Sequence, residues 1–498
     1  MLFRSAGIGR ADMDAQAIWV HSYIQDGWQV TPNLRVDFGL RYEYNCNMTE
    51  SGNRIAAIDT TVPGVRYVIA SDDAGNISPT ASALLPLIPI PYVTSSAAGW
   101  NRSLLNPSDW RFAPRMGLAW NVPGVRTVVR AGFGIYPNQA AYSIITNFAQ
   151  NLPFFAVKTV NTPATNVTPT QFTPTILNTT ALGTVGGSNL DHEFLIEYNE
   201  VWNLNIEHPV APGTLFSAAY IGSRTVHADS STVLNVPVPG PGAIAARRPI
   251  PQLSQFNTIR WDGWAEYHAL TLNVERRMGR GLTFNGNWTW SHSIDDASDP
   301  GATLNEANLP QDVYNIKAEK ADSSFDHRHR FVVSFTFDLP FTRATSGWKS
   351  RLLGNWRASG NFAAQSGAPF TVNYASDRAN IGAGPAQRPN MSGDPNNGPR
   401  TPEQWFNTPV FSLPAQFTFG NAPRNAVIGP GSHQFDLALQ KEVTLTETVK
   451  LQLRSESYNL FNHPNFNLPN RTAFTANFGR ISSAQDARQL QFAARLAF

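Results

Sequence analysis

Hydrophobic residues recur at every second position along much of this chain, and that rhythm assigns its elements. Leu34, Val36, Phe38, Leu40, Tyr42 and Tyr44 alternate with Arg35, Asp37, Gly39, Arg41, Glu43 and Asn45. A period of two over that length is a half-buried strand, not a helix. The same phase returns in Phe112, Met116, Leu118, Trp120 and Val122, in Trp202, Leu204 and Ile206, and in Leu282, Phe284, Trp288 and Trp290. It continues in Phe331, Val333, Phe335, Phe337 and Leu339 and closes in Leu490, Phe492, Ala494, Leu496 and Phe498. Strands are expected at about 17–30, 34–45, 111–122, 125–136, 198–209, 214–223, 266–278, 282–292, 327–339, 352–366, 434–445, 449–460 and 488–498. Residues 1–15 show no pattern and are expected to lack clear structure.

The connections alternate between short and long. Thr31-Pro32-Asn33, Pro123-Gly124, Ala211-Pro212-Gly213, Gly279-Arg280-Gly281 and Thr446-Glu447-Thr448 are tight turns. Between them lie long polar stretches at about 46–110, 137–197, 224–265, 293–326, 367–432 and 461–487. Such an alternation fits an all-β, antiparallel, up-and-down transmembrane β-barrel, with short periplasmic turns and long extracellular loops. The first strand then descends from outside, and so does the thirteenth, which puts Phe498 at the periplasmic face. With these directions Trp19, Tyr44, Trp202, Tyr220, Trp288 and Trp290 stand near outer strand ends, and Trp28, Trp120 and Trp356 near inner ends. They are the candidate aromatic girdles of a membrane barrel. About thirteen antiparallel strands leave the first and last parallel, so residues 16–498 are expected to be part of a larger barrel.

Composition narrows the picture. The chain has 498 residues, 42% of them hydrophobic and 15% charged, with a net charge of +2. That balance gives no electrostatic footprint for nucleic acid. The single cysteine, Cys46, excludes an internal disulfide and any multi-cysteine metal site. No run of eighteen apolar residues could form a spanning helix. Residues 1–20 lack the regions of a secretory signal, which supports the expectation of a C-terminal portion.

Several segments carry a family resemblance. "YIQDGWQVTPNLRVDFGLRYEY" at 23–44, "RFAPRMGLAW" at 111–120, "VVRAGFGIYPN" at 128–138 and "DHRHRFVVSFTFDLPF" at 326–341 are similar to barrel segments of TonB-dependent transporters. So are "YHALTLNVERRMGRGLTFNGNWTWSHSIDD" at 267–296 and "LRSESYNLFNHPNFNLPN" at 453–470, and the subgroup resembled is the Oar-like barrel. The resemblance implies a barrel of about twenty-two strands in the outer membrane, with a plug in its lumen. It further implies a small ligand, and a TonB-type energising protein that acts through the N-terminal plug. The plug is not in this sequence. The closing strand, through Leu490, Phe492, Leu496 and Phe498, resembles the signal read by barrel-assembly machinery.

Candidate chemistry is sparse, and neither an enzyme nor a cofactor is expected. The nucleotide and hydrolase motifs GxxxxGK, HExxH and GxSxG are absent. His327 and His329 would share a strand face, but two ligands do not complete a metal site. His292, Asp295, Asp296, Asp299, Asp322 and Asp326 gather around one loop, where oxygen ligands for a cation or a solvated surface are both readings. Arg35, Asp37, Arg41, Glu43, Arg454 and Glu456 are expected on the luminal face, pairing with opposite charges on neighbouring strands.

Overall fold

A computed structural model describes residues 2–9, 13–82, 84–106, 111–138, 146–162, 187–279, 281–298, 309–340, 354–382 and 387–498. Thirteen strands form one meander: β1 (Trp19–Thr31), β2 (Leu34–Asn45), β3 (Arg111–Asn121), β4 (Val128–Pro137), β5 (Tyr198–Ala211), β6 (Thr214–Leu234) and β7 (Phe256–Gly279). They continue as β8 (Leu282–Asp295), β9 (His329–Asp338), β10 (Trp356–Gln365), β11 (Ser432–Thr444), β12 (Lys450–Tyr458) and β13 (Gln489–Ala497). Each pairs antiparallel with the next in chain order, from β1 at one edge to β13 at the other. Each expected strand is present. β1 and β13 run in the same direction and are not paired with each other.

Register explains why the alternation matters. Phe38 of β2 faces Met116 of β3, which faces Phe133 of β4, which faces Trp202 of β5. The intervening positions pair Asp37 with Gly117, Gly117 with Gly132 and Gly132 with Asn203. One face is therefore apolar across the sheet and the other carries Asn, Ser, Thr, Gly and paired charges. Ile24, Phe38, Met116, Leu204, Phe331, Leu439, Leu453 and Phe492 are all exposed on the apolar face. No water-soluble surface carries an apolar band of that extent.

The short turns all lie at one end. Gly124 and Gly213 adopt φ of 80° and 71° there, a conformation that a side chain disfavours. At the opposite end β6 and β7 run to 21 and 24 residues, far beyond the expected 214–223 and 266–278, so the supposed loop 224–265 is largely a hairpin. The alternation stops at Val226 because the ladder there is broken by register shifts, which a strict period-two pattern cannot follow. Residues 1–15 also differ from expectation. Leu2–Gly9 pairs antiparallel with Phe155–Thr162, and Ala15–Gln16 with Thr49–Glu50. Backbone pairing, which needs no apolar pattern, orders both segments.

Buried side chains do not lie between sheets. They gather at the long-loop end in four clusters. The loop between β2 and β3 forms a small sheet (Ala56–Asp59, Arg66–Ile69, Tyr92–Thr94). Tyr67 and Ile69 on one side of it pack with Leu152, Phe154, Leu253 and Phe256, while Val68 on the other packs with Leu104, Phe148 and Leu190. A third cluster joins Phe370, Phe406, Phe411 and Val427 with Ala473, and a fourth joins Val233 and Val236 to Ala379 and Ile381.

Candidate functional site

The long loops form one packed body, because each cluster draws on more than one of them. Buried polar groups fix the joints. The Asn151 amide, fully buried, donates to the Ala56 and Ser188 carbonyls at 2.7 and 2.6 Å and accepts from the Ser188 amide. The Asn235 amide donates to the carbonyls of Ile250, Leu253 and Ser254, closing the tip of the β6–β7 hairpin. Two buried ion pairs tie the end of β8 and the loop after it to the loop before β11. Arg388 grips the Glu319 carboxylate with both terminal nitrogens, and Arg424 donates to the Asp295 carboxylate and, at 2.7 Å, to its carbonyl. Of these residues sequence reasoning singled out Asp295 alone; a lone Asn or Arg in a polar loop carries no signal until its partner's position is known.

The acidic loop resolves into separate roles. Asp295 is taken by Arg424, and Asp296 accepts the Trp264 backbone N–H at 2.9 Å. Asp299 lies outside the described residues. His292, Asp322 and Asp326 do converge, their ligating atoms within 4.8 Å of one another. Arg328 stands among them, with its guanidinium 2.8 Å from Asp322 and 2.7 Å from Asp326, and His292 meets Asp322 at 2.9 Å. Burial raises the Asp322 carboxyl, but hydrogen bonds from His292 and Arg328 outweigh it and hold the group below the ordinary carboxylate range. This is a charge-balanced knot, its carboxylates committed to arginine. His327 and His329 part company: His327 Nδ1 lies 2.6 Å from the Ser366 carbonyl, while the His329 ring stacks on Trp288.

The polar face carries its charges in short-range pairs. Arg35 meets Asp37 at 2.7 Å, Arg454 meets Glu456 at 2.5 Å, and Arg41 pairs with Glu43. All three run along one strand, not across neighbours as expected, because same-face residues two apart are only about 7 Å distant, within an arginine's reach. Across strands, Arg130 meets Glu207 and Arg357 meets Asp338. Beyond the end of β2 a cavity of about 350 Å³ opens between Asn47, Ser71, Asp72, Ser95, Trp100 and Arg102, with the Trp100 ring stacked on His192 at 3.7 Å.

Of the aromatic residues singled out in the sequence, Trp202, Tyr220, Trp288 and Trp290 stand in neighbouring rows of β5 to β8, part-way along β6 and β8 because those strands run on past the expected ends, and Trp356 begins β10. Trp19, Trp28, Tyr44 and Trp120 occupy β1 to β3 and are exposed, and Leu490, Phe492, Leu496 and Phe498 are exposed at 58, 75, 52 and 94%.

An antiparallel meander with one apolar face, short turns at one end and packed loops at the other defines an outer-membrane β-barrel architecture. A family described as "Outer membrane beta barrel domain" matches residues 4–491, and the chain belongs to it. Its place is the bacterial outer membrane, with the short turns periplasmic and the packed loops outside. No curated protein matches the chain. Among solved structures it is similar to the ferripyoverdine receptor of Pseudomonas aeruginosa, at 10% identity and TM-score 0.45, covering 97% of this chain and 39% of that one. It is similar also to the outer membrane transporter YddB from Escherichia coli (9%, TM-score 0.44, 97% and 54%) and to the FrpB iron transporter from Neisseria meningitidis (9%, TM-score 0.43, 98% and 46%). The chain spans about half the length of these structures, or less.

Proposed function

We propose that this chain is the barrel portion of a TonB-dependent transporter that takes up a small ligand across the outer membrane. The observation that carries the reading is the loop body: long loops share buried cores and buried ion pairs, which makes a preformed surface above a polar-lined sheet. Binding surfaces of this kind hold their geometry before the ligand arrives. In this reading, transport is energised by a TonB-type protein acting through a plug, and chemistry on the ligand plays no part. The aromatic residues would anchor the barrel in the membrane, and the closing strand with Phe498 would be read by the assembly machinery. The test is a deletion of the whole gene, followed by uptake measurements over a panel of labelled ligands. Loss of uptake of one ligand class supports the proposal. Unchanged uptake with lost cell cohesion would instead show a surface adhesin on the same barrel, and single-channel conductance by the refolded chain a passive porin.

A further inference from the structure

A second cavity, of about 710 Å³, lies at the outer end of β7 and β8, and its surroundings fall on the opposite flank from the polar face. Leu272, Leu270, His268, Glu266 and Trp264 occupy alternate positions of β7, so they form one column on the lipid-facing side. The column changes character as it rises. Leu270 is level with Tyr220 and Trp290. One step up, His268 stands between Gly222 and His292, with the Tyr220 hydroxyl 2.8 Å from its Nδ1 and Glu266 3.0 Å from its Nε2. At the next level Arg224, exposed, stands opposite Glu266. Ionisable groups on a lipid-facing flank mark the height at which hydrocarbon gives way to headgroups.

Trp264 continues this column into the cavity. The Lys320 ammonium lies 4.4 Å from the Trp264 ring centroid, and Lys317 is exposed on the same wall. Among the described residues neither lysine pairs with a carboxylate. Of the two carboxylates on the wall, Asp262 is engaged by Arg260 at 2.6 Å and by the Ser230 hydroxyl at 2.8 Å. Asp296 accepts the Trp264 N–H, and burial pushes its carboxyl up, toward the neutral form. Tyr314, 59% exposed, is pinned by its hydroxyl to the Val236 carbonyl, so its ring is a fixed second face. The wall thus offers two ammonium groups that pair with no carboxylate among the described residues, one of them against the Trp264 ring, and the exposed ring of Tyr314.

We propose that this cavity binds the phosphorylated saccharide headgroup of an outer-leaflet glycolipid. Height selects the headgroup. Trp264 is six residues beyond the Leu270 row, about 15 Å up once strand tilt is included. A phospholipid headgroup layer extends only about 6 Å from the hydrocarbon, whereas sugars linked to a lipid reach that level. Ammonium groups take the phosphate, and Trp264 and Tyr314 offer apolar faces to sugar rings.

The test uses the full chain folded in detergent, with native mass spectrometry of binding to purified lipopolysaccharide trimmed to its phosphorylated core. Lys317→Gln with Lys320→Gln should weaken binding roughly tenfold or more, and the paired Arg replacements should restore it. Enzymatic removal of phosphate from the probe should cost wild type a similar factor. Tyr314→Ala, at an exposed ring, serves as a second variant and should weaken binding severalfold. Unchanged affinity in the double Gln variant would overturn the proposal. So would phosphatidylglycerol or inorganic phosphate competing as strongly as the glycolipid, since each would place the recognised phosphate on a different molecule.

Discussion

Glycines on the lipid-facing side are covered by aromatic rings, and this is where single substitutions are most readable. A Cβ on Gly222 would stand 2.3 Å from the ring of Trp202, its direct cross-strand neighbour, and one on Gly360 would stand 2.5 Å from Phe335. The rings close the gaps that bare backbone leaves in the sheet. Gly222→Ala and Gly360→Ala should each cost about 1–3 kcal/mol, as overpacking does, and lower the temperature at which the folded band is lost in heat-modifiability gels. The Asp322 knot gives a pH signature. Its carboxyl is held below the ordinary range in the folded loop, so its contribution is present at neutral pH and lost as pH falls through that depressed value. In Arg328→Gln the carboxyl should rise, and hydrogen exchange in residues 321–328 should accelerate at a higher pH than in wild type. The ring over Gly222 could not be read from sequence, because it depends on which residue stands opposite across a ladder; the gathering of His292, Asp322 and Asp326 could, but not the place of Arg328 among them.

At the scale of elements, the strands were legible and the loop body was not. The pattern Leu34-x-Val36-x-Phe38-x-Leu40 announces its strand without help from any other part of the chain. Arg388 and Glu319 are 69 residues apart, and nothing local to either marks the pair. Truncating one partner strands a buried charge, so Arg388→Ala should destabilise the loop body by about 3–5 kcal/mol. Limited proteolysis should then open residues 309–320 while the barrel strands stay protected. Replacing both partners with methionine should be far milder, since no lone charge remains. Equal proteolysis in the two variants would show that the pair is not what joins these loops.

Across the whole molecule, alternation sorts residues by solvent, lipid on one side and the polar interior on the other. The faces make a sharp prediction for neighbours on one strand. Phe335→Arg, near the centre of β9 on the apolar face, should cost about 2–4 kcal/mol and reduce the folded fraction in outer membranes. Ser334→Arg, one residue away on the polar face, should assemble normally. The strands at the two margins, β1 and β13, expose every residue and run parallel to each other, and among the described residues each has a sheet neighbour on one side.

The β6–β7 hairpin reaches well past the membrane. A spanning strand needs about 9–11 residues, and these have 21 and 24, leaving a stiff ladder that rises roughly 25–35 Å above the bilayer once tilt is counted. Its tip is locked by Asn235 and by the contacts of Val233 and Val236 with Ala379 and Ile381. Such a mast sets a standoff. Because Val233 and Val236 pack on Ala379 and Ile381, the loop that carries those two residues is held at that height as well. The hairpin's length, set by strand residues, therefore fixes how far from the membrane its end of the loop body is held.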